Sequence, residues 1–207
     1  MSSDLYHARV TEPKTGAPLV FALHGTGGDE SQFYDLAAQL VPNGGVISPR
    51  GDVSEMGANR FFKRSAEGVY DMADLARATE KMAAFIEAHT ARHPESPVYA
   101  VGYSNGANIL ASVFLVRPDL FDRVALLHPL VTWEVEAKPE MRGRKVLVGA
   151  GERDPITPWP MSEKLISWLK EAGAEVSTAI HPGGHELQRS EIAALASLFA
   201  ETHVPAQ

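Results

Sequence analysis

The sequence predicts an α/β fold with a mostly parallel central sheet and helices on both faces. Three observations predict it. Short apolar runs at 19–23, 98–101, 124–127 and 145–150 have the length and composition of strands buried on both faces. Between them lie segments whose apolar residues are spaced at three and four, the period of an amphipathic helix. The two kinds of segment alternate along 207 residues that are 44% hydrophobic, enough for one domain, 1–207, with a substantial core.

Taken in order, residues 6–11 form a short extended segment, and 19–23 is a buried strand running into His24-Gly25-Thr26-Gly27-Gly28-Asp29. Asp29 suits a helix start, and Phe33, Leu36, Ala37 and Leu40 give residues 30–40 helical spacing. Asn43-Gly44-Gly45 marks a turn, followed by a short strand over 46–48. Residues 50–69 show neither period and predict a long loop, functional or mobile. The longest helix is expected over 71–93, with Met72, Leu75, Thr79, Met82, Ala83, Phe85 and Ile86 on one side, closed by Pro94. A strand into Ser104 and a helix over 105–116 come next, then a strand over 124–127 and an irregular stretch over 129–143. A strand over 145–150 delivers Gly151-Glu152-Arg153-Asp154-Pro155. Residues 160–172 form a helix, 175–180 a last strand ending at His181-Pro182-Gly183-Gly184-His185, and 190–202 a closing helix.

Charge and composition exclude several classes. With 19 basic and 26 acidic residues the net charge is −7 and no run of like charge stands out, which argues against tracking the phosphates of nucleic acid. The absence of cysteine excludes disulfides and thiolate chemistry. The first eleven residues lack the pattern of a secretory leader, and no apolar stretch reaches the roughly 20 residues of a membrane span, so a cytoplasmic protein is expected.

In a parallel α/β sheet the chemistry sits beyond the carboxyl ends of the strands. Four stretches meet that test: 24–29, 102–106, 151–154 and 183–185. Gly102-Tyr103-Ser104-Asn105-Gly106, between a strand and a helix, has the Gly-x-Ser-x-Gly form of a tight bend that lifts a serine clear of both elements. A serine hydroxyl needs an imidazole to take its proton, and the imidazole needs an acid to orient it. Ser104, His185 and Asp154 are the candidates for nucleophile, base and acid, and their chain order is that of the α/β hydrolases. Thr26 and Asn105 are the candidate oxyanion donors, through their backbone N–H groups.

Each assignment has a competitor. Glu152, Asp119 and Asp122 rival Asp154, but the latter two suit a turn after Pro118 and Glu152 suits solvent. His181 and His185 have the i, i+4 spacing of helical zinc ligands, yet Pro182, Gly183 and Gly184 oppose a helix there, so no metal is expected. His24 is expected to make a structural hydrogen bond. Phe61 and Phe62 are either loop anchors or substrate contacts, and Ile156 and Trp159, just beyond the acid, are either pocket wall or packing.

Leu-His-Gly-Thr-Gly-Gly-Asp at 23–29, Gly-Tyr-Ser-Asn-Gly-Ala-Asn at 102–108, Gly-Glu-Arg-Asp-Pro-Ile-Thr-Pro at 151–158 and Gly-Gly-His-Glu-Leu at 183–187 resemble the phospholipase/carboxylesterase family, which includes the acyl-protein thioesterases. Residues 60–64 and 67–71 are similar to a bacterial carboxylesterase branch, and within it Phe62 is the favoured substrate contact. The resemblance implies an α/β-hydrolase without a large cap, cofactor-free and metal-independent hydrolysis of small-molecule esters or thioesters, and frequent homodimers. Tyr103 and Asn105 flank Ser104 where acyl-protein thioesterases usually carry Phe or His and Gln, so their lipidated-protein substrates do not carry over. The expected activity is a serine carboxylesterase. A thioesterase or C–C hydrolase with the same triad, and a non-catalytic binding protein on this fold, are the alternatives.

Overall fold

The computed structural model describes residues 3–133 and 136–200. The strands are β1 (Ala8–Thr11), β2 (Leu19–Leu23), β3 (Gly45–Pro49), β4 (Val53–Glu55), β5 (Ala58–Arg60), β6 (Arg64–Ala66) and β7 (Val69–Tyr70). They continue with β8 (Val98–Tyr103), β9 (Arg123–Leu127), β10 (Lys145–Gly151) and β11 (Glu175–His181). The α-helices are α1 (Tyr34–Leu40), α2 (Met72–Thr90), α3 (Asn105–Val116), α4 (Trp159–Glu171) and α5 (Arg189–Ala200). Residues 201 and 202, expected to extend the last helix, lie outside the described residues.

Seven strands form the central sheet in the order β1-β3-β2-β8-β9-β10-β11. Only β1 runs antiparallel to its neighbour, so the sheet is mostly parallel as predicted. Strand side chains alternate between two cores because successive Cβ atoms point to opposite faces. Leu19, Phe21, Leu23, Ala100, Val124 and Val148 meet the apolar sides of α2, α3 and α4. Val20, Ala22, Tyr99, Val101, Leu127 and Leu147 meet α1 and α5. Helix α3 is buried on nearly every side, which suits its apolar sequence Ile109-Leu110-Ala111 through Leu115. Helix α2 begins where the Asp71 side chain accepts the Asp74 N–H, and it buries Leu75, Thr79, Met82, Phe85 and Ile86. Met72, expected on that side, is exposed.

The structure departs further from the sequence reading at helix α1 and over residues 53–70. Helix α1 starts at Tyr34 rather than near residue 30, because the Asp29 carboxylate accepts the Ser31 N–H and closes a turn there. Residues 53–70 are two small hairpins rather than an unstructured loop: β4 pairs β5, and β6 pairs β7. Their strands have only two or three residues, too few to display an alternating pattern. The first hairpin turns at Met56-Gly57 with positive φ at both residues, the backbone of a two-residue hairpin turn. No cap domain is formed among the described residues; the hairpins stand beside the strand ends in its place.

Candidate active site

Strand β8 delivers Ser104 at φ 52°, ψ −117°, a conformation that non-glycine residues adopt only under strain of about 1–3 kcal/mol. The flanking glycines allow the bend. A Cβ at Gly102 would lie 2.4 Å from the Gly106 carbonyl oxygen, and one at Gly106 would lie 2.3 Å from that of Leu23. The Ser104 N–H donates to the Leu127 carbonyl, and Ser104's own carbonyl accepts the Asn108 N–H, so β9 and α3 hold the serine from both sides.

His185 Nε2 lies 2.9 Å from Ser104 Oγ, and His185 Nδ1 lies 2.7 Å from Asp154 Oδ2. The three predicted residues thus form one continuous hydrogen-bonded chain, although they are 50 and 31 residues apart in sequence. Asp154 is fully occupied. Its Oδ1 accepts the backbone N–H groups of Ile156 and Thr157 at 2.8 and 2.9 Å, while Oδ2 faces His185 and a second histidine, His128, at 2.8 Å. Burial alone would raise the Asp154 pKa, but the Thr157 N–H, the two imidazoles and the Ile156 N–H together hold it below the usual carboxylate range.

Thr26 and Asn105 both line the cavity that contains Ser104. Among the described residues neither of their backbone N–H groups is claimed by a protein acceptor. The loop that carries Thr26 is braced on three sides. Arg60 Nη1 donates to Thr26 Oγ1 at 2.7 Å, the Gly25 N–H donates to Gln32 Oε1 at 2.8 Å, and the Gly27 N–H donates to the Asn59 carbonyl. His24 makes the structural bond expected of it: its Nε2 accepts the Gly51 N–H, which leaves Nδ1–H to donate to the Gly25 carbonyl. Burial pushes its pKa down, with the Gly25 bond opposing.

The cavity is about 300 Å³ and is lined by polar side chains that include Arg60, Arg64, Glu67, Tyr70, Asn108 and Thr157, with Leu130 and Ile156 as the aliphatic contributors and about as much apolar as polar surface exposed to it. Asn108 organises the far wall by donating to Tyr70 Oη at 2.9 Å and accepting the Leu130 N–H at 2.7 Å. Of the four residues expected to touch substrate, only Ile156 lines this cavity. Phe61 and Phe62 are corrected to anchors: both are 0% exposed, Phe61 packed on His24 and Phe62 edge-on to Tyr70. Trp159 lies outside this lining and packs half-buried against the core. For the two phenylalanines the reason is that a large apolar ring gains more from full burial than from a cleft lined by charged side chains.

Several residues in the site escaped sequence reasoning. Tyr103 packs its ring 5.4 Å from that of His185 and donates its hydroxyl proton to the His185 carbonyl, tethering the loop that carries His185. The Asn105 side chain accepts the Phe61 N–H at 2.8 Å and joins the serine bend to the hairpins. His128 and Glu191 are both 0% exposed, behind Asp154. His128 directly follows a buried strand, so its position was a signal; Glu191, inside α5, carries none.

Among the described residues, two sets of donor atoms lie close enough to surround a metal ion: His128, His181 and Glu191, and His128, Asp154 and His185. Their protons oppose this use. The Gly183 N–H occupies His181 Nδ1, which puts the ring proton on Nε2, facing Glu191 Oε2 at 3.3 Å. Both Nδ1 atoms that face Asp154 serve as donors to its carboxylate.

Comparison with known proteins agrees with this geometry. The sequence profile of a family described as serine aminopeptidase, S33 (Hydrolase_4) matches residues 16–146. MhqD of Bacillus subtilis (strain 168) is 39% identical over 184 residues, 88% of this chain and 92% of that protein. The solved structure of Atu2452 from Agrobacterium tumefaciens str. C58, a protein of unknown function, is 50% identical with a TM-score of 0.91 and covers 97% of this chain and 98% of that one. A Bacillus cereus carboxylesterase structure is 32% identical with a TM-score of 0.87, covering 94% of this chain and 93% of that one. The chain is therefore a hydrolase that belongs to the α/β-hydrolase family described as serine aminopeptidase, S33.

Proposed function

We propose that this hydrolase is a serine-dependent carboxylic ester hydrolase, with Ser104 as nucleophile, His185 as general base and acid, and Asp154 as the orienting carboxylate. The carrying observation is the unbroken chain Ser104 Oγ, His185, Asp154, opening on a cavity with two unclaimed backbone N–H groups. Ser104 Oγ attacks the acyl carbonyl as His185 Nε2 takes its proton, and the N–H groups of Thr26 and Asn105 hold the oxyanion. The imidazolium returns the proton to the departing alcohol, leaving an acyl-enzyme. Water, deprotonated by His185, then attacks the acyl carbon and releases the acid.

The likeness to the Bacillus cereus carboxylesterase supports an ester substrate over an amide. A cavity of about 300 Å³ with two arginines supports a small acyl group carrying polar substituents. Long fatty-acyl chains need a long apolar channel, and a cavity of this volume with only Leu130 and Ile156 as aliphatic lining disfavours them. The reading treats residues 1–207 as one catalytic domain, cytoplasmic and homodimeric, with no cofactor, no resident metal and no nucleic-acid partner. No helix among the described residues is long and apolar enough to cross a membrane.

Ser104→Ala is expected to lower kcat on p-nitrophenyl acetate by about 10⁵–10⁶-fold, and a fluorophosphonate is expected to label the wild type at Ser104 alone. Retained turnover in Ser104→Ala, or no labelling, would sink the proposal. Across p-nitrophenyl esters from acetate to palmitate, kcat/KM is expected to fall beyond short chains. Parallel rates on a matched thioester and a β-diketone separate the ester reading from thioesterase and C–C hydrolase activity.

A further inference from the structure

The acid of the candidate triad is shared. Asp154 Oδ2 accepts from His185 Nδ1 on one side and His128 Nδ1 on the other, at 2.7 and 2.8 Å. Beyond His128 the chain of charge continues: Nε2 lies 3.2 Å from Glu191 Oε1, in ion-pair range but off the line of a hydrogen bond. Glu191 Oε2 accepts the Gln188 N–H at 2.8 Å and faces His181 Nε2. The side chains of His128, Asp154 and Glu191 are 0 or 1% exposed, so no water screens these charges.

The backbone is built around this arrangement. His128 has φ 53°, a left-handed conformation that is strained for a residue with a side chain, and its N–H is pinned to the Gly149 carbonyl. The space Glu191 occupies exists because residue 149 is glycine: a Cβ there would lie 2.3 Å from Glu191 Oε1. A buried carboxylate facing one nitrogen of His128 and a second facing the other favour a ring protonated at both. Burial works against that charge, but the contacts with Glu191 and then Asp154 outweigh it and raise the His128 pKa.

We propose that His128 and Glu191 form a second, buried relay behind Asp154, in which His128 is a positioning residue that fixes the carboxylate and tempers its charge, and Glu191 is the counter-charge that keeps His128 in place. The inference rests on the triad reading above. The groups facing His128 are Asp154 after β10, Glu191 from α5, His181 at the end of β11, His185 on the following loop with its ring 5.1 Å away, and Tyr103 from β8. With Asp154 and Glu191 ionised and His128 protonated, one net negative charge stands behind His185. His128→Gln adds a second, which strengthens the hold of His185 on its proton. Glu191→Gln removes it and weakens that hold. The double variant restores a single charge.

The test is the acid limb of log kcat/KM against pH on a neutral ester. In His128→Gln the limb is expected to move up by about one pH unit, in Glu191→Gln down by a similar amount, and in the double variant back near the wild type. A merely structural role lowers kcat without moving the limb. Limbs that stay put in both single variants, or move in the same direction, overturn the relay. A second measurement needs no substitution: ¹⁵N-histidine spectra of the wild type near neutral pH should contain one ring protonated at both nitrogens whose N–H protons are protected from exchange. A spectrum without such a ring overturns the proposal even if the variants fail to fold. Failure of the relay leaves Ser104→Ala inactive, whereas failure of the triad reading leaves Ser104→Ala active, so the two are distinguishable.

Discussion

The two walls of the cleft use the same kinds of residue under opposite conditions. On the acid side, Asp154, His128, His181 and Glu191 are buried, with side chains 0 to 6% exposed, and every charge faces a partner within 3.3 Å. On the hairpin side, Arg64 and Glu67 pair at 19 and 50% exposure, and Arg64 also reaches Glu55. Arg60 is the exception there. It is 2% exposed, so burial and then the charge of Arg64 push its pKa below the ordinary value, with Glu55 opposing. Charges removed from water interact strongly but must be complete, because an unpaired one is costly; charges in water interact weakly and are dispensable. The acid side is therefore held in one arrangement, whereas the exposed pairs of the hairpin side can exchange partners at little cost.

The largest break in this contrast is expected from Asp154→Asn, which leaves His185 without an orienting anion. Steady-state kinetics should register a fall in kcat of about 10⁴-fold, and a loss under tenfold would remove Asp154 from the triad. Next is Arg60→Met, which frees the Thr26 loop from the guanidinium. Under the proposed mechanism, displacing the Thr26 N–H is expected to lower kcat/KM by about 10²-fold, with affinity for a small neutral ester nearly unchanged. Gly149→Ala should then test the dry wall by crowding the Glu191 carboxylate away from His128. Displacing Glu191 is expected to cost about 1–3 kcal/mol in urea unfolding. On the wet wall, Glu67→Gln should cost less than about 1 kcal/mol by the same measurement.

The smallest effect expected is one of pH. The lowered pKa of Asp154 means that its ionised form stabilises the fold. That contribution is complete above the ordinary Asp value of 3.8 and is lost as pH falls through the lower folded value. As pH falls from neutrality the Tm gap between wild type and Asp154→Asn should widen while His128 takes up the proton that Asp154 favours, hold constant to about 4.5, and narrow only below about 4. A gap that narrows already near neutrality would place the dominant titration elsewhere in the network.

Sequence pattern was sufficient for the parts of this protein that depend on local chemistry. Strand length, helical spacing and the position of Ser104, Asp154 and His185 just past strand ends are properties of short windows. The glycines at 102 and 106 report a steric requirement of the same short turn. The hairpins over 53–70 escaped because strands of two or three residues show no period, and Phe61, Phe62 and Trp159 were ambiguous because an aromatic ring suits a core and a pocket equally well. Only the tertiary structure decided which of them faced the cleft. It also decided the network behind Asp154, since a histidine after β9, a glycine in β10 and a glutamate in α5 have no local relation until the parallel sheet stacks them. Sequence determines what each residue can donate or accept; which donor meets which acceptor across 26 or more residues is set by the register of strands and helices around one core.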